Sequence, residues 1–175
     1  MPLRNGTHTK KRQPFAEKHA CKLTFPTVHR FHVHSITASY DNEHFLTGDE
    51  VSIRLWDVNS PQQCYEVVNI EPPKIEDLLE VVTHCEYHPT DSSTFLYTSS
   101  KGYVQLCDLR QSSSPASVTL STADEEEQPF SEITKSVCWA RFSPHDEHTV
   151  ASRDYLTVKL WDRRKPDQPY AKYPL

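Results

Sequence analysis

Histidines, cysteines and hydroxyl side chains are the residues of this sequence whose chemistry could support a reaction or a metal site. His29, His32 and His34 are clustered near the beginning, and His84 and His88 lie four residues apart. Residues four apart on a strand share a face, as two metal ligands would. No carboxylate or cysteine completes a tetrahedral set at a recognisable spacing. We therefore expect no metal and no cofactor, and we interpret these histidines as members of hydrogen-bond networks at one end of a sheet.

The cysteines and glycines argue against most enzyme classes. The five cysteines include no C-x-x-C pair, so neither a disulfide framework nor a four-thiolate zinc site is indicated. The motifs G-x-S-x-G, G-x-G-x-x-G and the P-loop are absent, and the sequence holds only three glycines, too few for a phosphate-binding loop. The sequence therefore predicts a protein that is not an enzyme and keeps reduced, buried thiols.

Charge is unevenly distributed along the chain. Residues 1–30 hold seven Lys or Arg against one Glu, whereas the remaining residues hold 12 basic and 23 acidic side chains. An acidic body disfavours nucleic acid as a partner, and no apolar run approaches the roughly 20 residues of a membrane span. We interpret residues 1–27 as a basic, disordered arm. We expect a cytoplasmic protein that can also be nuclear.

Three segments of the sequence are repeats of one another, at 34–57, 84–108 and 138–162. Each contains short stretches of alternating apolar and polar residues, separated by turns rich in Asp, Asn, Ser and Gly. Such alternation predicts strands with two different faces. Each repeat ends in Trp-Asp or Cys-Asp, at Trp56, Cys107 and Trp161. The sequence therefore predicts WD-type repeats.

The repeats predict an all-β fold, a partial WD40 β-propeller of about three four-stranded antiparallel blades. The expected blades cover residues of about 32–70, 81–121 and 132–175. The spacing of the Trp and Cys positions exceeds the usual repeat of about 40–45 residues. The excess predicts a short helical insertion of about two turns in residues 71–80, and a strand with an exposed acidic loop in residues 111–131.

The Trp-Asp pairs are interpreted as structural. In such propellers a Trp at the end of a strand packs between blades, and nearby His, Ser or Thr, and Asp side chains share hydrogen bonds. The expected structural blade residues are Trp56, Asp57, Asp108, Trp161 and Asp162. Arg153 and Asp154 are expected to form a pair that stabilises a turn.

Five stretches, in order, make the sequence resemble the WD40-type B regulatory subunits of serine/threonine protein phosphatase 2A. They are HVHSITASYDNEHFLTGDEVSIRLWDV, VVNIEPPKIEDLLEVVTHCEYHPT, FLYTSSKGYVQLCDLRQS, PFSEITKSVCWARFS and SRDYLTVKLWD. The resemblance covers residues 28–175. It implies a non-catalytic, substrate-recruiting subunit that assembles with the scaffold and catalytic subunits of the phosphatase.

Two departures from the family change the expectations. The family has seven blades and carries a hairpin arm that grips the scaffold subunit, whereas this sequence matches about three blades without that arm. We therefore expect weak assembly with the phosphatase, and an isolated chain that is marginally stable, self-associating or poorly soluble. The alternative interpretation is a WD-repeat interaction scaffold that does not assemble with the phosphatase.

The resemblance also implies a site for partners on one face of the blades. In the family this face receives short helical segments of substrates and inhibitors. The positions that match this site are Glu50, Val51, Leu78, Val81 and Phe130. We add Asp49, which precedes Glu50 in the same turn. Acidic side chains beside apolar ones suit a basic amphipathic helix. Glu50 is expected to be exposed in its turn, while Leu78 and Val81 could instead anchor the insertion to the blade.

Overall fold

The computed structural model describes residues 23–111, 116–121 and 131–175. Within this part, twelve strands form three antiparallel sheets of four strands each. The first sheet contains β1 (Ser35–Ala38), β2 (His44–Gly48), β3 (Ser52–Asp57) and β4 (Cys64–Asn69). The second contains β5 (Val82–Tyr87), β6 (Thr94–Ser99), β7 (Tyr103–Asp108) and β8 (Ala116–Ser121). The third contains β9 (Trp139–Phe142), β10 (Thr149–Arg153), β11 (Thr157–Asp162) and β12 (Ala171–Pro174).

Strands that follow each other in sequence are neighbours in each sheet, so every connection within a sheet is a hairpin. The expected all-β fold of four-stranded antiparallel blades is confirmed. The alternation used to predict strands is clearest in β11, where Thr157, Lys159 and Trp161 are buried and the residues between them are partly exposed. The acidic stretch expected in the loop before the third blade lies outside the described residues.

The insertion after the first sheet differs from its prediction. Instead of a helix of about two turns, a single 3-10 turn spans Ile75–Asp77. Pro72 and Pro73 precede it without backbone N–H groups, and the side chain of Leu79 is 80% exposed. A short helix needs an apolar face packed against the protein, and this segment does not bury one. A five-residue helix, α1 (Ser131–Lys135), lies before the third sheet. No helix in the described ranges is long and apolar enough to cross a membrane.

The hydrophobic core lies between the sheets. We call the packing between the first and second sheets the first joint, and that between the second and third sheets the second joint. The first joint buries Leu46, Ile53, Val68, Val82, Cys85, Tyr87, Phe95, Tyr97 and Cys107. The second joint buries Leu96, Val104, Leu106, Leu120, Val137, Ala140, Phe142, Val150 and Trp161. The second sheet therefore contributes apolar side chains from both of its faces, as a propeller blade does.

Gly48 lies at the first joint, close to side chains of β1 and β5. A β carbon at this position would lie 2.6 Å from Ser35 Oγ and 3.2 Å from Cys85 Sγ. The first distance is shorter than real contacts allow, so a side chain at position 48 would force the Ser35 hydroxyl away from Cys85 Sγ, from which it now lies 3.2 Å. Glycine therefore fits the close contact between the Ser35 and Cys85 side chains at the joint.

Trp161 provides a direct test of the second joint. Its side chain is fully buried, and its indole N–H donates a 2.8 Å hydrogen bond to Ser152 Oγ. We expect Trp161→Ala to lower the free energy of unfolding by about 3–5 kcal/mol, because truncating a buried aromatic removes its contacts and leaves a cavity. Urea unfolding followed by circular dichroism measures the change. Tyr155→Ala, at a site 69% exposed, is the control and should cost less than about 1 kcal/mol.

Candidate functional site

Asp49 closes the turn between β2 and β3. Its carboxylate accepts hydrogen bonds from the backbone N–H groups of Val51 and Ser52, at 2.9 and 2.7 Å, and from the Ser52 hydroxyl at 3.1 Å. Burial alone would raise the pKa of Asp49, but these bonds and one from His29 outweigh it and lower that pKa. The side chains of Asp49 and Val51 are almost fully buried. Both residues therefore contribute to the turn, and their contact with a partner stays a prediction.

A chain of hydrogen bonds connects this turn to the Trp of the first repeat. The Trp56 indole N–H donates to Thr47 Oγ1 at 2.8 Å, and Thr47 Oγ1 lies 2.6 Å from His29 Nε2. His29 Nδ1 lies 2.7 Å from Asp49 Oδ2. A neutral His29 protonated at Nδ1 satisfies every group, since Thr47 then donates to Nε2. This confirms the interpretation of His29 as a network residue. The acid in the network is Asp49, whereas Asp57 accepts the N–H of Asn59.

The third sheet repeats the turn with a different partner. Asp154 accepts hydrogen bonds from the N–H groups of Leu156 and Thr157, at 2.9 and 2.6 Å. Its other oxygen lies 2.9 Å from the buried Lys159 ammonium group, which takes the place that His29 has beside Asp49. Asp154 thus stabilises the turn as expected. Its ionic partner, however, is Lys159, and the Arg153 side chain is exposed to solvent.

The second sheet stabilises its turn with a glutamate. The carboxylate of Glu80 accepts hydrogen bonds from the hydroxyls of Ser99 and Tyr103. Burial and the bond to Glu80 raise the pKa of Tyr103 to about 12. Glu80 is therefore engaged within the sheet rather than presented to a partner. Cys107, which replaces the Trp of the other repeats, is fully buried in the first joint.

The remaining predicted structural aspartates cap turns at the opposite end of the sheets. Asp108 pairs with Arg110 at 2.6 Å, and Asp162 pairs with Arg164 at 2.8 Å, each two residues along the chain. Both carboxylates also accept the backbone N–H of the same arginine. These contacts agree with a structural role.

His84 and His88 do not join a set of possible metal ligands among the described residues. His84 lies beside the ring of Trp139, and His88 packs against Phe142 and accepts the N–H of Thr90. The described residues bring one set of possible ligand atoms together, those of Asp41, Glu43 and His44. Asp41 already accepts the Ser39 hydroxyl and the Glu43 N–H, so this set is explained as a turn.

A groove of about 780 Å³ opens between the second and third sheets, at the end that carries the Asp49, Glu80 and Asp154 turns. Its most exposed apolar side chains are Leu79, Ile133 and Tyr155, at 80%, 63% and 69% exposure. Its lining residues are Leu79, Ser100, Lys101, Ile133, Lys135, Ser136, Cys138 and Tyr155. Exposed apolar side chains gathered at one groove are typical of a surface that binds a partner.

Of the predicted site residues that the structure describes, none lines this groove. Leu78 and Val81 are half-buried beside Leu79, and the N–H of Val81 donates to Ser100 Oγ at 3.0 Å. Glu50 is half-buried rather than exposed, and its Oε2 atom is shielded from solvent with no hydrogen-bond partner among the described residues. Phe130 lies outside the described residues. Leu79, Ile133 and Tyr155 are not among the residues predicted from the sequence. Of these three, Tyr155 could have been found from the sequence, because it is an aromatic residue in a predicted turn.

Sheets packed face to face, with Trp161 directed toward the preceding sheet, define a partial WD-repeat β-propeller. Two solved structures of the COPII coat on membranes, one of its outer coat vertex, match this arrangement. Each has a TM-score of 0.63 and 17% sequence identity over 81% of this chain, which shows the fold alone. The match covers 35% and 20% of those two chains.

No protein-family profile matches the chain, but curated relatives do. It is 36% identical over 94% of its length to the protein phosphatase PP2A 55 kDa regulatory subunit of Drosophila melanogaster. It is 38% identical over 88% of its length to regulatory subunit sur-6 of Caenorhabditis elegans, and 40% over 83% to phr2AB of Dictyostelium discoideum. The chain belongs to the family of B-type regulatory subunits of protein phosphatase 2A. It spans about a third of these relatives, at 34%, 32% and 31% of their lengths.

His84 should make the protein lose stability in mild acid. Burial, followed by the nearby His34 and Arg141, lowers the pKa of His84 to about 4. Between pH 6.5 and 4 the unfolded chain therefore binds a proton at this residue that the folded chain does not, so acid favours unfolding. We expect the urea midpoint of the wild type to fall more steeply than that of His84→Gln between about pH 7 and 5. The exposed His145→Gln is the control. Parallel curves for wild type and His84→Gln would contradict the prediction.

Proposed function

We propose that this chain acts as a non-catalytic, substrate-recruiting part of a protein phosphatase 2A regulatory subunit. The observation that carries the proposal is the 36–40% identity with such subunits over most of the chain. The contacts of the candidate side chains agree with it. Asp49, Glu80 and Asp154 each satisfy turn or strand donors, so their role is to build a surface rather than to catalyse hydrolysis.

The groove is the proposed recruitment site. A helical segment could place apolar side chains between Leu79, Ile133 and Tyr155, since apolar anchors in a groove are the usual mode of helix recognition. The charged residues that line the groove are Lys101 and Lys135, whereas Glu76 and Asp77 are exposed in the 3-10 turn that precedes Leu79. Glu76 and Asp77 would face basic residues at the end of the segment that extends beyond the groove lining. Phe130 is kept as a further proposed contact.

Assembly with the phosphatase is the second part of the proposal. The chain corresponds to about a third of its relatives, so we propose a contact with the scaffold and catalytic subunits that is weaker than theirs. Co-precipitation of the 175-residue chain with a reconstituted scaffold–catalytic dimer, in competition with a full-length relative, tests it. Recovery at a higher concentration than the full-length subunit needs is expected. No recovery at any concentration would favour the alternative, a WD-repeat scaffold independent of the phosphatase.

Groove variants should weaken recruitment without unfolding the protein. We expect Ile133→Ala and Tyr155→Ala each to raise the Kd for a fluorescein-labelled amphipathic helix, with leucines on one face and lysines at one end, by about tenfold or more. An anchor in a groove is worth about 2 kcal/mol, whereas an exposed side chain contributes little to folding. Fluorescence polarisation and thermal melts measure the two effects. Tyr65→Ala, at an exposed site in β4, is the matched control.

Leu78→Ala distinguishes the site from the core. Leu78 is half-buried, so the structure is consistent with either an anchor for the helix or an anchor for the insertion. A loss of peptide binding with an unchanged melt assigns it to the site. A large drop in the melting temperature excludes that assignment and leaves Leu79 as the apolar contact of this segment.

A further inference from the structure

A second concave site, of about 280 Å³, opens between the second and third sheets at the end opposite the groove. We call it the arginine pocket, because Arg110, Arg163 and Arg164 line it. Arg110 follows β7 in the second sheet, and Arg163 and Arg164 directly follow β11 in the third. The arginine pocket therefore lies across the second joint, with residues from both of the sheets that form it.

The most buried part of this lining is apolar. Leu106 and Cys107 are 4% and 0% exposed, and Val118 is partly buried against the second joint. Pockets that hold drug-sized ligands usually have volumes of about 300–1,000 Å³. The arginine pocket is slightly smaller than that, so it has room for the end of one side chain rather than for a helix. Its apolar inner lining and charged rim suit a side chain with a short carbon stem and a charged end.

Two of the three guanidinium groups are held in position by carboxylates. Arg110 donates from Nε and Nη2 to the two oxygens of Asp108, at 2.8 and 2.6 Å. Arg164 donates in the same way to Asp162, at 3.0 and 2.8 Å. Each pair of bonds uses one edge of a planar group that has five N–H donors. The two arginines are therefore fixed on one edge and keep N–H groups on the other edge for a ligand.

Arg163 adds a positive charge that no described carboxylate pairs with. Its backbone N–H donates to the carbonyl of His148 at 2.9 Å, but its guanidinium group has no hydrogen bond or ion pair within the described ranges. The side chain is half-buried. Burial first, and then the charge of Arg163, lower the pKa of the neighbouring His88. A cation beside apolar walls attracts an anion more strongly than a cation in open water does.

Two carboxylates also belong to the lining, and both are engaged by neighbouring groups. Asp108 binds Arg110, as described above. Asp91 accepts the N–H of Ser93 at 2.8 Å and the hydroxyl of Thr94 at 2.6 Å, so it closes its own turn. Asp91 has no arginine at ion-pair distance among the described residues, and its negative charge would repel a bound anion. This repulsion gives the pocket a second charge whose removal has a predictable effect.

We propose that the arginine pocket binds a phosphorylated serine or threonine side chain of a partner protein. A phosphate monoester carries a charge of about −1.5 to −2 near neutral pH and has three strong acceptor oxygens. Three guanidinium groups match these oxygens better than they match the two oxygens of a carboxylate. The carbon stem of the phosphorylated residue would lie against Leu106 and Val118. Because the pocket and the groove are at opposite ends of the sheets, this binding does not depend on the recruitment proposed for the groove.

Fluorescence polarisation on the full chain tests the proposal with fluorescein-labelled pentapeptides that differ only at the central residue, which is phosphoserine, serine or glutamate. We expect the phosphoserine peptide to bind with a Kd at least about tenfold lower than that of the other two peptides. Arg163→Gln should raise this Kd by about tenfold or more, because it removes a charged hydrogen-bond donor. Asp91→Asn should lower it, since asparagine removes the repelling charge and keeps an acceptor for the turn.

Arg153→Gln is the matched control, because Arg153 is an exposed arginine at the other end of the third sheet, and thermal melts check that every variant stays folded. With the wild type, inorganic phosphate should displace the phosphoserine peptide, whereas chloride at the same ionic strength and the amphipathic helix designed for the groove should not.

Three results would overturn the proposal. The first is a glutamate peptide that binds as tightly as the phosphoserine peptide, which would indicate an unspecific contact with acidic peptides. The second is an effect of Arg163→Gln no larger than that of Arg153→Gln. The third is displacement of the phosphoserine peptide from the wild type by the groove helix, or by chloride as readily as by phosphate. A failure of the groove helix to bind at all would count against the recruitment proposed for the groove and leave this test unaffected.

Discussion

A sheet with two apolar faces must be covered on both sides, and most features of this protein follow from that requirement. The second sheet directs Phe95 and Cys107 into one joint and Leu96 and Leu106 into the other. Burial of this kind contributes about 25 cal/mol for each Å² of apolar surface removed from water. The sheets are therefore stable as neighbours rather than singly. The outer face of the first sheet is covered by the segment Leu23–His34, whose Phe25 ring contacts Phe45 and Trp56.

Buried polar groups at the turns use three different solutions to one problem. A tight turn leaves backbone N–H groups and a carboxylate close together in a place where water is excluded. The first sheet balances Asp49 with His29, and the third balances Asp154 with Lys159. The second sheet has no acid in its turn. Instead Glu80, which precedes β5, accepts hydrogen bonds from the hydroxyls of Ser99 and Tyr103. The position is thus occupied by paired polar groups in every sheet, although the residue types differ.

Much of the fold could be predicted because strand alternation and turn residues are local signals. The alternation of β11 predicts a strand with two different faces, and the three repeats predict three blades. Only the structure shows that Trp161 shares the buried face with Thr157 and Lys159. The site was harder. Asp49 and Glu50 are adjacent acidic residues in a polar turn, and local sequence does not distinguish the one that accepts turn N–H groups from the one beside it. The segment Leu23–His34 has no periodicity, so only the packing of Phe25 on the rings of Phe45 and Trp56 shows that it covers the first sheet.

The two buried cysteines give the first joint a chemical reporter. Burial raises the pKa of Cys85 to about 11 and that of Cys107 to about 12, so neither forms a thiolate at neutral pH while the sheets are packed. An alkylating reagent reacts with the thiolate. Exposed Cys138 would be labelled first, whereas Cys85 and Cys107 would react only when the first two sheets separate. The rate at which the two cysteines are modified would therefore measure how often the joint opens, without any substitution in the protein.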